Sequence, residues 1–446
     1  MKILLLVGLL LGGCWIGGCS ATLSSSAVHP NTLPSSAAKG PRRLTMDPIT
    51  LQASVKRGEL QVEILDPGIS FDRAGELLSA QKFREALAGY NQILRQFPDS
   101  RFVSPALYNA GLAHEWLGEF SQAAARYREM IRRFGSSKEA IDASFRLGGC
   151  YAELRNWPAS AEVLGRLLAR SDLSASDRIE ALARKGLAHF RLGDRRSCKS
   201  TLQEAIDFSR QVETVERLST DYFLAMAYYY KAALPHLAFR ERKVDSGEAM
   251  AKTLDGKAQF FLLSQAEYIK TIKVKNPYWA TAAGFQIGSL YREFYAVLLT
   301  TLPDFTRQAA INARLAHIQM EQAQQQLTQV YLEEVHKAVA PLLFKAIRLF
   351  EKNVLMAERV GVRSDWVEKS RHQVNELKHL LSLPAQEAVK LVTKPQTLPE
   401  DQPIPKDKDS SPPKANDPAD PDKTPAAPPA DKSPMKEDDE PSQVIM

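Results

Sequence analysis

Apolar and polar positions divide the 446-residue chain into five stretches. Met1-Lys2 leads into an unbroken apolar run from Ile3 to Leu11. Ser, Ala and Pro then dominate to about Pro41, a composition that cannot bury a core and reads as a flexible tether. Between Leu51 and Leu65 the alternation in Gln61-Val62-Glu63-Ile64 suits a small strand or an extended arm. From Ser70 the apolar period becomes helical, and from Thr393 onward Pro, Asp, Lys and Ala follow no period, the composition of a disordered tail.

The helical stretch repeats itself. In the segment Leu107 to Met130, Gly111 and Ala123 are small where two antiparallel helices cross, Leu117-Gly118 closes the first helix, and Phe120 and Tyr127 fill the hairpin. Gly111, Gly148 and Gly186 lie 37 and 38 residues apart. In register with them are Phe83, Ala86, Tyr90 and Pro98 before, Tyr151, Trp157 and Leu164 next, then Leu192-Gly193, Cys198, Leu202 and Ala205. A fifth first helix lies at Tyr222 to Lys231, with Ala225 at the small position. This pattern resembles the tetratricopeptide repeat, whose ideal unit is slightly shorter, about 34 residues. The resemblance implies an all-α fold: a solenoid of tetratricopeptide-type helical hairpins, wound as a right-handed superhelix, with a disordered N-terminal tether and C-terminal tail. Ser160 and Cys198 replace the usual Ala at the crossing, and Arg195 stands where an aromatic is expected.

Past the repeats, Pro235 to Gly256 reads as an inserted loop and Lys257 to Lys275 as one long helix. Pro277 heads a new helix that Leu302-Pro303 ends. Two longer helices are expected next, from about Phe305 to Val339 with a solvated Gln322 to Gln326, and from Pro341 to Arg359. Gly361 is placed as a C-cap, with Ser364-Asp365-Trp366 opening a capping helix to about Leu380. The expected organisation is therefore residues 1–18 signal peptide, 19–66 lipidated cysteine and tether, 67–232 repeats, 233–384 divergent helical extension and 385–446 tail.

The first stretch is a signal peptide: a charged start and an apolar run too short to span a bilayer. Leu11-Gly12-Gly13-Cys14 and Ile16-Gly17-Gly18-Cys19 both resemble the lipobox of bacterial lipoproteins. Cys19 is favoured as the acylated residue, with Cys14 the alternative, because Ser20-Ala21 is a small, flexible exit and Trp15 is not. The resemblance implies an acyl anchor in the lipid bilayer. Ser20 rather than Asp after the cysteine implies the periplasmic face of the outer membrane. Cys150 and Cys198 remain, to pair in an oxidising periplasm or to act as small buried apolar residues.

Apolar residues at 44% and charged residues at 25% are ordinary for a folded chain. Net charge is +6, but Thr393 to Met446 holds seven Lys and twelve acidic residues, leaving the rest near +11. That excess fits a solvated helical surface or an anionic partner. No basic run is interleaved with aromatics, so nucleic acid is not an expected partner.

Phosphate loops, nucleophile elbows and zinc-helix motifs are absent from the sequence, so neither catalysis nor a metal or other cofactor is expected. His114 and His189 occupy one repeat position and read as core. In tetratricopeptide proteins the first helix of each hairpin lines the concave surface. Carried over by register, that places Tyr108, Leu112, Glu115, Trp116, Phe145, Phe190, Arg191, Tyr222, Met226, Tyr229 and Tyr230 in an aromatic partner groove.

Lipobox and array together resemble bacterial outer-membrane lipoproteins with tetratricopeptide repeats, namely the barrel-assembly lipoprotein, secretin pilotins and repeat proteins of motility complexes. Asn276-Pro277-Tyr278-Trp279-Ala280-Thr281-Ala282-Ala283 and Glu351-Lys352-Asn353-Val354-Leu355-Met356-Ala357-Glu358 look like a longer, deltaproteobacterial type. The implied function is a scaffold for proteins of an envelope assembly, secretion or motility complex. A peptidoglycan or glycan binder is the alternative, for which the basic body and its aromatics would serve.

Overall fold

The structure, a computed structural model, describes residues 50–56, 59–212, 221–245 and 249–392. The signal peptide, Cys14, Cys19, most of the tether and the tail from Thr393 lie outside the described residues. A two-stranded antiparallel hairpin comes first, β1 (Thr50–Lys56) and β2 (Glu59–Leu65), with Thr50 opposite Leu65 and Lys56 opposite Glu59. The short strand expected at Gln61 to Ile64 is thus the second of a pair.

Five helical hairpins follow. They are α1 (Pro67–Ser79) with α2 (Phe83–Gln96), α3 (Val103–Trp116) with α4 (Phe120–Phe134), α5 (Glu139–Glu153) with α6 (Trp157–Leu168), α7 (Ala175–Arg191) with α8 (Arg195–Val212), and α9 (Asp221–Glu241) with α10 (Met250–Lys273). Four of them turn the same way. Gln81, Gly118, Arg155 and Gly193 have φ of 60°, 73°, 54° and 73°, at intervals of 37, 37 and 38 residues. Around each, an amide bonds back five residues to the first helix: Lys82 N to Leu77 O, Glu119 N to His114 O and Asn156 N to Tyr151 O at 2.8 Å, Asp194 N to His189 O at 3.0 Å. This satisfies carbonyls that a helix end otherwise strands. His114 Nδ1 also lies 2.7 Å from Glu119 Oε2, so this half-buried imidazole braces its own turn.

Within a hairpin the helices approach closely at the small residue. A Cβ on Gly111 would fall 2.5 Å from the ring of Tyr127 on α4, which is fully buried. Ser160, at a position usually Ala, donates to the carbonyl of Gly148 at 2.9 Å and so ties α6 to α5. Successive hairpins are clamped at one spacing. Arg133 Nη2 bonds Pro98 O at 2.8 Å, and Arg170 Nη1 bonds Gly135 O, each reaching back 35 residues.

The second half departs from expectation in four places. Pro235 stands inside α9 and the break comes only after Glu241, with α10 already begun at Met250, so α9 and α10 form a fifth hairpin rather than flanking an insertion. A proline removes one helical hydrogen bond. Burial of Leu234 before it and of His236, Leu237 and Phe239 after it holds the helix together nonetheless. After α11 (Pro277–Thr300) comes a short α12 (Thr306–Ala316), ended by His317 in the left-handed region, φ 54°. Then α13 (Met320–Val360) runs 41 residues straight through Pro341, where a break was expected. Val339, Leu342 and Leu343 are fully buried there, and their packing outweighs the lost bond. Gly361 caps α13 at φ 67°, and α14 (Asp365–Ser382) follows. The body then continues into α15 (Ala385–Val392), so its described part ends at residue 392 instead of 384; Ala385 and Ala388 bury into the core.

The two motifs singled out in the second half meet. Asn353, on α13 and nearly buried, donates to Thr281 O and to Ser370 Oγ, each at 2.9 Å, joining α11, α13 and α14. Asn276 caps α11 through its side chain, 3.1 Å from Trp279 N. The fully buried Tyr229, Tyr230 and Tyr268 gather with Trp279 into an aromatic knot, with Tyr229 5.0 Å from Trp279 between centroids. One core cluster runs from α7 to α15, whereas the hairpins before it have smaller, separate cores.

Two glycines of adjacent repeats separate packing from propensity. Gly111→Ala forces Tyr127 aside and is expected to destabilise by about 1–3 kcal/mol. Gly149→Ala meets nothing within 4 Å and is expected to stabilise α5 by up to about 1 kcal/mol. Urea unfolding followed by far-UV circular dichroism distinguishes them; equal shifts would refute the close crossing.

Candidate functional site

The eleven residues expected to line a groove do not form one open surface. Leu112, Phe145, Phe190, Met226, Tyr229 and Tyr230 are buried, at 1% to 7% exposure, because each hairpin covers the one before it. Phe190 packs on Tyr230, 5.1 Å between centroids, and Tyr229 accepts from Gln286 Nε2 at 3.1 Å. Trp116 is 39% exposed but lies parallel to Phe83 of the preceding hairpin. Tyr108, Glu115, Arg191 and Tyr222 are half-buried. The continuous aromatic groove is corrected to a narrower surface.

That surface is built by first helices α3, α5, α7 and α9, two positions before each small crossing residue. Asn109, Arg146, Arg184 and Phe223 occupy this register. Arg146 Nε donates to Tyr108 Oη at 3.0 Å and its Nη1 bonds Glu115 Oε2 at 3.1 Å, joining α3 to α5. Arg184 reaches both ways: its guanidinium lies 5.7 Å from the Phe145 ring centre and 5.2 Å from that of Phe223. Glu180, one turn earlier, holds Arg184 at 2.7 Å. Arg191 lies 5.7 Å from the Trp157 ring centre.

Where these meet, a shallow depression opens, floored by Gly149 and Ala152 and walled by Trp157, Arg184, Tyr222 and Phe223. The missing side chain of Gly149 makes the floor, since a Cβ there would project into open space. Aromatic faces beside a guanidinium offer apolar contact and charge-assisted hydrogen bonding together. Of the residues expected from register, Tyr222 and Met226 line it. Gly149, Trp157, Arg184 and Phe223 were missed. For Arg184 and Phe223 the signal was their shared offset, two residues before the crossing residue, whereas Gly149 and Trp157 lie outside that register.

A second constellation lies between the fifth hairpin and α11. His236 is wholly buried, with Nδ1 3.2 Å from Tyr268 Oη and Nε2 3.2 Å from Glu293 Oε2. Arg240 Nε bonds the same carboxylate oxygen at 2.8 Å, and its Nη2 bonds Oε1 at 2.5 Å. Burial opposes ionisation of Glu293, but His236 and the hydrogen bonds from Arg240 more than offset it and hold the carboxyl near 2. Burial outweighs Glu293 at His236 and lowers its pKa. This is an internal ion pair joining α9 to α11. Among the described residues no group of His, Cys, Asp or Glu is arranged to hold a metal ion. Cys150 and Cys198 are both unpaired and buried; burial pushes the Cys198 thiol up to about 12.

The tetratricopeptide-repeat family profile matches residues 70–100 and 105–137, the first two hairpins. Those two hairpins are tetratricopeptide repeats, and the all-α array that continues from them keeps the same helical-hairpin architecture. No curated protein matches it by sequence. Solved structures similar to it include the C-terminal part of a tetratricopeptide repeat-containing protein from Cytophaga hutchinsonii, at 11% identity and TM-score 0.36, covering 72% of this chain and 99% of that one. Another is a tetratricopeptide repeat protein from Parabacteroides merdae, at 13% identity and TM-score 0.31, covering 70% and 98%. MamA matches at 17% identity and TM-score 0.32, over 46% of this chain and 94% of its own.

Glu293→Gln strands Arg240 and is expected to cost about 3–5 kcal/mol. In the unaltered chain the depressed carboxyl gives stability that is complete above about pH 4.5 and is lost as pH falls toward 2, with His236 contributing loss in the same direction below pH 6.5. Urea midpoints measured from pH 7 to pH 3 should fall less steeply in Glu293→Gln; parallel curves would exclude this pair as a source of the pH dependence.

Proposed function

We propose that the protein is a periplasmic scaffold lipoprotein of the outer membrane, holding a protein partner of an envelope assembly, secretion or motility complex against the face of α5, α7 and α9. The observation that carries the binding role is Arg184, held between Phe145 and Phe223 above an open floor at Gly149. Aromatics and arginine contribute most when a partner buries them, and here they adjoin a space that a partner side chain can enter. Such a site suits a peptide or helix with an apolar side chain beside a carboxylate, the first seated on Gly149 and the second facing Arg184. Tetratricopeptide repeats commonly serve protein–protein interaction, which agrees with this use.

The anchoring half of the reading rests on the paired lipobox sequences, with Cys19 as the acylated residue. Among the described residues no helix is long and apolar enough to cross a membrane.

Both halves are testable in the native bacterium. A photoreactive phenylalanine analogue placed at Phe223 is expected to give a discrete adduct that Gly149→Phe abolishes, while the same analogue at Lys199, exposed on α8, gives none. An adduct that persists in Gly149→Phe would sink the binding site. Detergent-phase partitioning is expected to be lost in Cys19→Ser and kept in Cys14→Ser; the reverse would move the anchor to Cys14.

A further inference from the structure

On the side of the second helices, between α4 and α6 and above α5, runs a groove of about 700 Å³. Its floor is apolar, including Leu147, Val163 and Leu167. Its rim carries Arg128, Arg132 and Arg166. The carboxylates nearby are already engaged: Glu162 with Arg166 at 2.5 Å, and Glu129 with Arg126 and Arg133 at 3.7 Å. Arg128 and Arg132 are exposed and make no ion pair among the described residues. The groove thus presents unneutralised positive charge beside an apolar trough, the complement of a segment that is acidic and apolar in turn.

The chain contains one such segment beyond Val392. Most acidic residues of that stretch alternate with Lys or Pro, but Glu437-Asp438-Asp439-Glu440 is an unbroken run, followed within a few residues by Val444-Ile445-Met446. We propose that Glu437 to Met446 docks in this groove of its own chain, the carboxylates against Arg128 and Arg132 and the apolar residues in the trough. Length permits it. The roughly 45 residues between Val392 and the acidic run can reach at most about 150 Å. Tethering at that length gives an effective concentration on the order of millimolar, so a weak contact suffices to fill the groove.

The test uses a fluorescent peptide, Ser433 to Met446, and the full chain. A chain carrying Glu437→Gln, Asp438→Asn, Asp439→Asn and Glu440→Gln has its own segment disabled and is expected to bind the peptide, more weakly as salt rises. Adding Arg128→Glu and Arg132→Glu is expected to weaken binding at least about 10-fold, with helical content unchanged because both side chains are exposed. The unaltered chain is expected to bind the peptide about 10-fold more weakly than the neutralised one, since its own segment competes. Equal affinity for the unaltered and neutralised chains, or indifference to the arginine reversals, overturns the proposal. A sedimenting mass that rises with concentration only in the unaltered chain also overturns it, placing the segment in a second copy.

Discussion

A helical hairpin of this kind has one apolar face that it cannot cover by itself, and everything else in the molecule follows from how that face is closed. Each hairpin lays the face on the next, which requires that the two helices inside it come close enough to act as a single slab. Gly111 beneath Tyr127 and Gly148 beneath Leu164 set that closeness. The left-handed residue at each of the first four turns then returns the chain at the angle the stack needs. Once register is set in this way, the positions two residues ahead of the crossing fall on one side of the array. There Arg146 and Arg184 bridge consecutive hairpins through side chains instead of backbone.

The repeat was legible because its determinants are local: a small residue, a turn and a phase. Elements governed by distant contacts were not. Pro235 and Pro341 carry an intrinsic helix-breaking preference of about 3 kcal/mol. Each is flanked by side chains buried against other helices, and that packing decides. The true break at His317 left no glycine or proline to mark it. The partner surface failed for a related reason. Register tells which side of a helix faces the array's inner surface, but it does not tell whether the next hairpin folds over it. Phe190 and Tyr230 have the right register and are covered by one another.

The two halves use different stabilising chemistry. In the first hairpins the joins are arginine clamps onto loop carbonyls and small apolar cores. From α7 onward the joins are interior: an aromatic knot, the Asn353 hub and the Arg240–Glu293 pair. Buried polar joins of that sort favour one arrangement over its near alternatives, because any shift leaves a donor or a charge unmatched. The proposed partner face straddles the join between the two halves, with Gly149 and Trp157 before it and Arg184, Tyr222 and Phe223 in the block from α7 onward.

The break between the separate small cores and the single large one has a mechanical meaning. Tension applied at the N-terminal end meets the hairpins in series, and each can yield without disturbing the next core but one. The block from α7 onward yields only as a whole. Pulled from that end, the molecule behaves as a short extensible leash ending in a solid grip, paying out length hairpin by hairpin before the far end feels the strain.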